Sequence, residues 1–303
     1  MLSFISGAHG FVGSAMQSYI ELHSDELQYY PQNEEIDVLD KDKLVSMFSS
    51  KLPDAVIHLA AKSYVPESFE NPEHTYRVNF IGTLHLLQAL KEANFSGTFL
   101  YVGSSDVYGK ADEKDLPFLE TRPTAPRNPY SVSKVAAEAL CYQWSQTENI
   151  RIIMVRPFNH IGPGQSPIFV VSDFAKQIAS IKLGLSPPIL NVGNIDVYRD
   201  FTDVRDVVRA YALLLKSGLN GEAYNICSEK AVSIRDIINK LIGISGVDIQ
   251  IQTDQARLRP AEQIKAYGSC KKLKDQTGWD QTISLDQSLQ DIYSYWEEKL
   301  KNG

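Results

Sequence analysis

Residues 5–14 read ISGAHGFVGS, and no other stretch of the chain restricts its fold as strongly. Gly7, Gly10 and Gly13 follow the spacing G-x-x-G-x-x-G. Glycines at these intervals let a strand turn sharply into a helix and let the backbone approach a pyrophosphate, because no Cβ stands in the way. An isolated match is weak, so the flanks decide. The apolar run MLSFI precedes the turn and reads as a buried strand over 2–6, while Phe11, Met16 and Ile20 recur at helical intervals over 11–22. Strand, turn and helix in this order describe a phosphate cradle.

The alternation continues. Apolar strand candidates at 55–60, 98–103 and 152–156 are separated by helical patterns at 44–50, 75–93 and 130–146. That order implies an α/β fold, a Rossmann-type doubly wound parallel sheet with helices on both faces. After Arg156 the pattern loosens around Gly162, Pro163, Gly164, Pro187 and Pro188, where a smaller C-terminal substrate-binding lobe is expected to begin. Regular α/β patterning returns at 204–216 and 223–227, so the two lobes are expected to interleave. The dinucleotide-binding domain is placed at 1–158 plus about 199–228, and the substrate-binding lobe, which the resemblance described below makes a nucleotide-sugar lobe, at about 159–198 and 229–303. Asp203 is expected to cap the helix that follows it, with Asp206 near its N-terminal dipole.

Of the 303 residues 43% are hydrophobic, enough to bury a sizeable core. No apolar stretch approaches the roughly 18 residues of a membrane span, and the N-terminus runs into a strand without a basic flank, so a cytoplasmic location with no membrane partner is expected. A net charge of −7 argues against a general nucleic-acid surface. Cys141, Cys227 and Cys270 are odd in number and far apart, which fits buried thiols rather than a disulfide framework, and no cluster has metal-ligand spacing.

Chemistry concentrates in two segments. In NPYSVSKVAAEAL, Tyr130 and Lys134 share one helical face at i, i+4, and an ammonium beside a phenol favours the phenolate and would lower its pKa. Upstream, YVGSSDVYG brings Ser104, Ser105 and Asp106 to the carboxyl edge of a strand, where ligands sit in open parallel sheets. Ser104 can polarise a carbonyl there; a serine-rich turn with Asp106 capping backbone amides is the structural alternative.

Glycine turn, serine and Tyr/Lys pair, in this order, resemble the extended short-chain dehydrogenase/reductase superfamily. DVLD at 37–40, HLAAKS at 58–63 and VNFIGT at 78–83 resemble its adenine-contacting segment, its nicotinamide-side strand end and the helix beyond. The resemblance implies cofactor contacts at Gly7, Gly10, Phe11, Val12, Gly13, Asp37, Val38, Leu59, Ala60, Ala61, Tyr130 and Lys134. It also implies that His58 and His160 belong to strand-end and loop architecture rather than to catalysis.

The second half narrows the likeness. RPFNHIGPGQS at 156–166, RDFTDVRD at 199–206 and LRPAE at 258–262 resemble GDP-6-deoxy-D-mannose reductases and, in part, GDP-mannose 4,6-dehydratases. By that resemblance Asn159 would contact the diphosphate of a GDP-sugar, Arg199 and Arg259 would pair with it, and Glu262 would take a ribose hydroxyl, beside Ser104, Ser105 and Asp106 around the sugar. Arginine's planar fork suits phosphate oxygens.

The implied reaction is hydride delivery from NADPH or NADH to the C4 ketone of GDP-4-dehydro-6-deoxy-D-mannose, with Tyr130 giving the proton, Ser104 holding the carbonyl and Lys134 orienting the nicotinamide ribose. Four alternatives stand beside it: a reductase forming the talo epimer, a 4,6-dehydratase, an epimerase, and a dinucleotide-sensing protein without turnover. The resembling dehydratases use a glutamate where this chain has Asp106. No Lys or Arg lies between Gly13 and Lys41, and Glu34 and Glu35 lie where a ribose-binding acid is expected, so NADH fits locally while the related reductases imply both cofactors. A symmetric homodimer through helices 75–93 and 129–146 is also expected, from Val78, Leu86, Leu90, Val135, Leu140 and Trp144.

Overall fold

The structure, a computed structural model, describes residues 1–30, 36–257 and 263–302. Six parallel strands form the central sheet: β1 (Leu2–Ser6), β2 (Gln28–Tyr29), β3 (Ala55–His58), β4 (Thr98–Val102), β5 (Arg151–Pro157) and a last strand, Ala223–Ile226. Across the sheet they run β2, β1, β3, β4, β5 and then Ala223–Ile226. The chain therefore reverses its winding between β1 and β3, and ligands of open α/β sheets bind in the crevice at such a point. Register aligns Ser6 with His58 and His58 with Tyr101, so the carboxyl ends form one edge.

Strands buried on both faces need continuous apolar sequence, and β3 and β4 supply it with AVIH and TFLYV. One face packs against helices Phe11–Leu22 and Val204–Ser217, around Ile5, Met16, Leu100, Tyr211 and Trp279. Helices Lys41–Ser50, Gly82–Glu92 and Pro129–Thr147 cover the other, around Phe4, Phe48, Leu86, Leu90, Phe99 and Trp144. Asp203 caps Val204–Ser217 by accepting the Arg205 N–H at 2.9 Å, as expected. Asp206 does more than face a dipole: it accepts the N–H groups of Thr282 and Ile283 and fastens that segment to the helix.

A separate hydrophobic cluster belongs to helices Val170–Lys182, Ile234–Ser245 and Leu285–Lys301, which pack on one another around Phe174, Ile178, Ile238, Ile292 and Trp296. Short strand pairs join this part to the main sheet's edge; Asn159–Ile161 runs parallel to Phe201–Asp203, and Tyr198–Arg199 pairs with Val232–Ser233 and Lys265–Ala266. Among the described residues no helix is long and apolar enough to cross a membrane. Cys141, Cys227 and Cys270 are buried and free.

One helix expected to be continuous is not. The 75–93 pattern resolves into Pro72–Tyr76, a π-helical turn at Arg77–Ile81 and Gly82–Glu92. Single π-turns inside helices recur at functional sites.

Candidate functional site

The chain leaves β1 at Gly7 with a φ of +73°, a conformation that glycine adopts without strain. A Cβ there would lie 2.9 Å from the Ala60 nitrogen, and one on Gly13 would lie 2.4 Å from the carbonyl oxygens of both Gly7 and Ala8. Backbone fills those positions. Gly10 differs, for its added Cβ meets only the Gly7 oxygen, at 3.3 Å, and the residue is exposed. It is the N-cap of Phe11–Leu22 and offers no side chain to the first N–H groups, which leaves the positive end of a twelve-residue helix for an anion. Phe11 and Val12, both half-buried, begin that helix. The residues present fit a dinucleotide pyrophosphate.

Leu59, Ala60 and Ala61 follow β3 and are half-buried against the glycine turn, with the Leu59 N–H on the Ser6 carbonyl and the Ala60 N–H on Ser6 Oγ. Asp37 is exposed and accepts the Leu39 N–H at 2.9 Å. The side chain of Val38 is buried in the core beside Gly82, so any cofactor contact it makes is through its backbone. Glu34 and Glu35 lie outside the described residues.

Helix Pro129–Thr147 carries the reactive pair. Asn128 caps it, Ser131 closes a reciprocal capping box, and proline occupies the first helical position, which together fix where the helix starts and hence where Tyr130 points. Tyr130 and Lys134 are 8% and 5% exposed, and the Lys134 ammonium stands 5.9 Å from the Tyr130 ring centroid. Lys134 Nζ donates to the Val102 carbonyl at 2.8 Å, at the end of β4.

The electrostatics correct one expectation. Burial pushes the Tyr130 phenol above its ordinary pKa, with Ser104 opposing that push by hydrogen bonding and Asp106 adding to it, so the phenol is held protonated rather than as phenolate. Burial acts on the lysine as well, lowering its ammonium to about 8.

Ser104 caps the turn Ser105–Tyr108 by accepting the Asp106 N–H at 3.2 Å. Serine rather than aspartate does the capping. Ser105 and Asp106 begin that turn, half-buried and exposed respectively.

A buried polar chain behind the site was not anticipated. The Ala60 N–H donates to Ser6 Oγ, whose hydroxyl meets His58 Nδ1 at 2.6 Å; His58 Nε2 meets Thr83 Oγ1 at 2.9 Å, and Thr83 donates to the Asn79 carbonyl. Because Thr83 spends its proton on that carbonyl, His58 carries its own on Nε2. Desolvation, with the Lys134 charge second, lowers His58 to about 3. In the π-turn, Asn79 accepts the Lys62 N–H at 2.7 Å and donates to the Lys62 carbonyl at 3.0 Å and to Ser133 Oγ at 2.8 Å, while Ser133 donates to the Tyr130 carbonyl. VNFIGT held the signal, since Asn79 and Thr83 are polar residues four apart in an otherwise apolar stretch of six. His160 stacks on Phe11 with centroids 6.1 Å apart and its Nδ1 lies 3.2 Å from the Phe158 carbonyl, an architectural placement as for His58.

Asn159 is exposed and donates to the Asp200 carbonyl at 3.1 Å; Arg199 is half-buried and donates to the Tyr198 carbonyl. Arg259 and Glu262 lie outside the described residues. Among the described residues no group of His, Cys, Asp and Glu could hold a metal ion.

Residues 4–292 match the family model described as GDP-mannose 4,6 dehydratase. The chain is 48% identical, over 98% of its length and 98% of the relative's, to the GDP-6-deoxy-D-mannose reductase of Pseudomonas aeruginosa. It is 27% identical to the GDP-mannose 4,6-dehydratase of Yersinia enterocolitica, over 83% of this chain and 75% of that one. The solved structure of RMD from Pseudomonas aeruginosa complexed with NADPH superposes with a TM-score of 0.95 at 48% identity, covering 98% of this chain and 99% of that one. Cradle, Tyr/Lys helix and whole-length likeness agree, and the chain belongs to the GDP-mannose 4,6 dehydratase family of Rossmann-type α/β proteins.

Proposed function

We propose that this chain is an NADPH- or NADH-dependent reductase that converts the C4 ketone of GDP-4-dehydro-6-deoxy-D-mannose to the alcohol of GDP-6-deoxy-D-mannose. The observation that carries the reading is the buried Tyr130–Lys134 pair under the end of β4, with Ser104 against the phenol and the glycine turn at the same carboxyl edge of the sheet, two strands away. Whole-length identity to the Pseudomonas aeruginosa reductase supports the substrate, and the likeness to its NADPH complex supports the cofactor.

With its pyrophosphate held at the glycine turn, the reduced dinucleotide would supply the hydride from its nicotinamide. This chain's residues do the rest. Tyr130, kept protonated by burial, gives its proton to the carbonyl oxygen, and Ser104 donates a hydrogen bond to that oxygen. Lys134, anchored on Val102, orients the nicotinamide ribose. Asn159, Arg199, Arg259 and Glu262 hold the GDP portion, with Ser105 and Asp106 beside the sugar. A dehydratase would need a further acid and base to remove water, and Asp106 is shorter than the glutamate of the dehydratases this sequence resembles. The division of labour between lobes is the one expected from sequence, save that Cys270, Leu273 and Trp279, within 229–303, pack into the core of the dinucleotide-binding domain.

The same reading includes a homodimer through helices Pro72–Tyr76, Gly82–Glu92 and Pro129–Thr147. Of the apolar residues expected to serve the sheet on one face and a partner on the other, Leu86, Leu90 and Trp144 are buried against the sheet, and exposed Tyr76, Val132 and Tyr142 add apolar surface for the partner. Light scattering at micromolar concentration should give twice the chain mass, and a monomer would refute the pairing.

The deciding experiment incubates the protein with the 4-keto GDP-sugar and reduced cofactor and follows nicotinamide absorbance. Absence of turnover with cofactor bound would favour a sensing protein. NMR of the product's C4 configuration separates the manno product from the talo epimer.

A further inference from the structure

Asp200 has no place in the reading above, yet its carboxylate is wholly buried. Its Oδ1 accepts the N–H and the hydroxyl of Ser228, each at 2.7 Å, and its Oδ2 accepts the N–H groups of Glu229 at 3.1 Å and Gly268 at 3.3 Å. These four donors are neutral. Its carbonyl takes the Asn159 side chain at 3.1 Å. One residue thus joins segments around 159, 199, 228 and 268, which are distant in sequence.

The loop it grips is itself constrained. Glu229 has a φ of +62°, unusual for a residue with a side chain, and its carboxylate is held by Ser269 Oγ, the Cys270 N–H and Lys274 Nζ. Two carboxylates therefore fix one turn. Burying a carboxylate among neutral donors is costly, and the same volume filled with apolar side chains is often as stable or more so. What the arrangement supplies is geometry. Seating Asp200 inward fixes the course of the chain at its neighbour Arg199, and the bond to its carbonyl leaves Asn159 one N–H to offer a ligand.

We propose that Asp200 is the positioning residue of the diphosphate-binding face, fixing Asn159 and Arg199 in the orientation that accepts a nucleoside diphosphate. The proposal rests on the reading in which those two residues hold a GDP-sugar. It predicts a loss confined to nucleotide-sugar affinity, leaving the cofactor site and the proton transfer alone.

The test is Asp200→Asn, measured by calorimetry with GDP and with NADPH and by steady-state kinetics with the 4-keto sugar. The variant's amide must face N–H donors, so one pair of bonds is lost. Expected are GDP binding weaker by about tenfold, KM raised in step, and NADPH affinity and kcat within about twofold of wild type. Ser228→Ala removes a single hydroxyl donor and decides the matter if Asp200→Asn does not fold; about threefold weaker GDP binding is expected. Unchanged GDP affinity in the folded variant overturns the proposal, as does a parallel loss of GDP and NADPH affinity, which marks a merely structural role. If wild type binds NADPH but not GDP, the GDP-sugar reading fails and takes this one with it; if wild type binds GDP and the variants bind it equally well, this proposal alone fails.

Discussion

Acidification should reach this protein through His58. The ring lies 2% exposed between Ser6 and Thr83, and its surroundings hold its pKa at about 3 against an ordinary 6.5. Below 6.5 the unfolded chain binds a proton here that the folded chain refuses, so the stability gained by keeping the ring neutral is complete above 6.5 and is lost as pH falls toward 3. A difference of that size corresponds to about 5 kcal/mol over the full window, of which about 3 kcal/mol is gone by about pH 4.5. That is a large part of the 5–15 kcal/mol that typically separates folded from unfolded. The assay is urea unfolding of wild type and His58→Gln from neutral pH to about pH 4.5. The amide offers one acceptor and one donor to the same neighbours but cannot titrate. At neutral pH the variant is the less stable of the two, and the gap should close by about 3 kcal/mol on acidification. Parallel curves, or an NMR titration showing the His58 ring protonating near 6.5 in the folded protein, would refute the argument.

Tyr130→Phe removes the proton donor and should cost roughly 10²- to 10⁴-fold in turnover while NADPH affinity by fluorescence titration is retained. Lys134, with its ammonium lowered to about 8, should lose cofactor affinity as pH rises through that value, and Lys134→Met should bind weakly at every pH with no such step. Gly13→Ala forces a Cβ to 2.4 Å from two backbone oxygens and should destabilise folding by about 1–3 kcal/mol, read as a lowered Tm. Gly10→Ala, whose Cβ would meet only the Gly7 oxygen at 3.3 Å, should lower the Tm far less than Gly13→Ala and lose cofactor affinity.

The sheet was legible because its strands are buried on both faces, so 99–102 and 152–155 read as unbroken apolar runs and Leu2–Ser6 as one interrupted only by small serines. The glycine turn and the Tyr130/Lys134 spacing were legible because each depends on local geometry: where a Cβ fits, and which side chains share a helical face. The protonation state of Tyr130 was not. A lysine four residues away argues for a lowered pKa, and only the depth of burial shows desolvation outweighing it. The Ser6–His58–Thr83 chain and the Asp200 tie escaped for a related reason, since their partners lie far apart in sequence and are matched by tertiary packing.

The π-turn at Arg77–Ile81 amounts to one residue spliced into a helix. On its N-terminal side the helix keeps one phase and on its C-terminal side another, offset by about 100° from an uninterrupted α-helix. That offset lets Asn79 reach Lys62 and Ser133 while Leu86, Leu87 and Leu90, beyond the turn, still pack into the core. A single-residue deletion there would repair the helix as a helix and spoil it as a coupling: the straightened segment could keep its leucines inside or its asparagine in place, but not both. Tolerance to insertion and deletion should therefore be lower in these five residues than in any exposed loop of the chain, for a reason of phase rather than of chemistry.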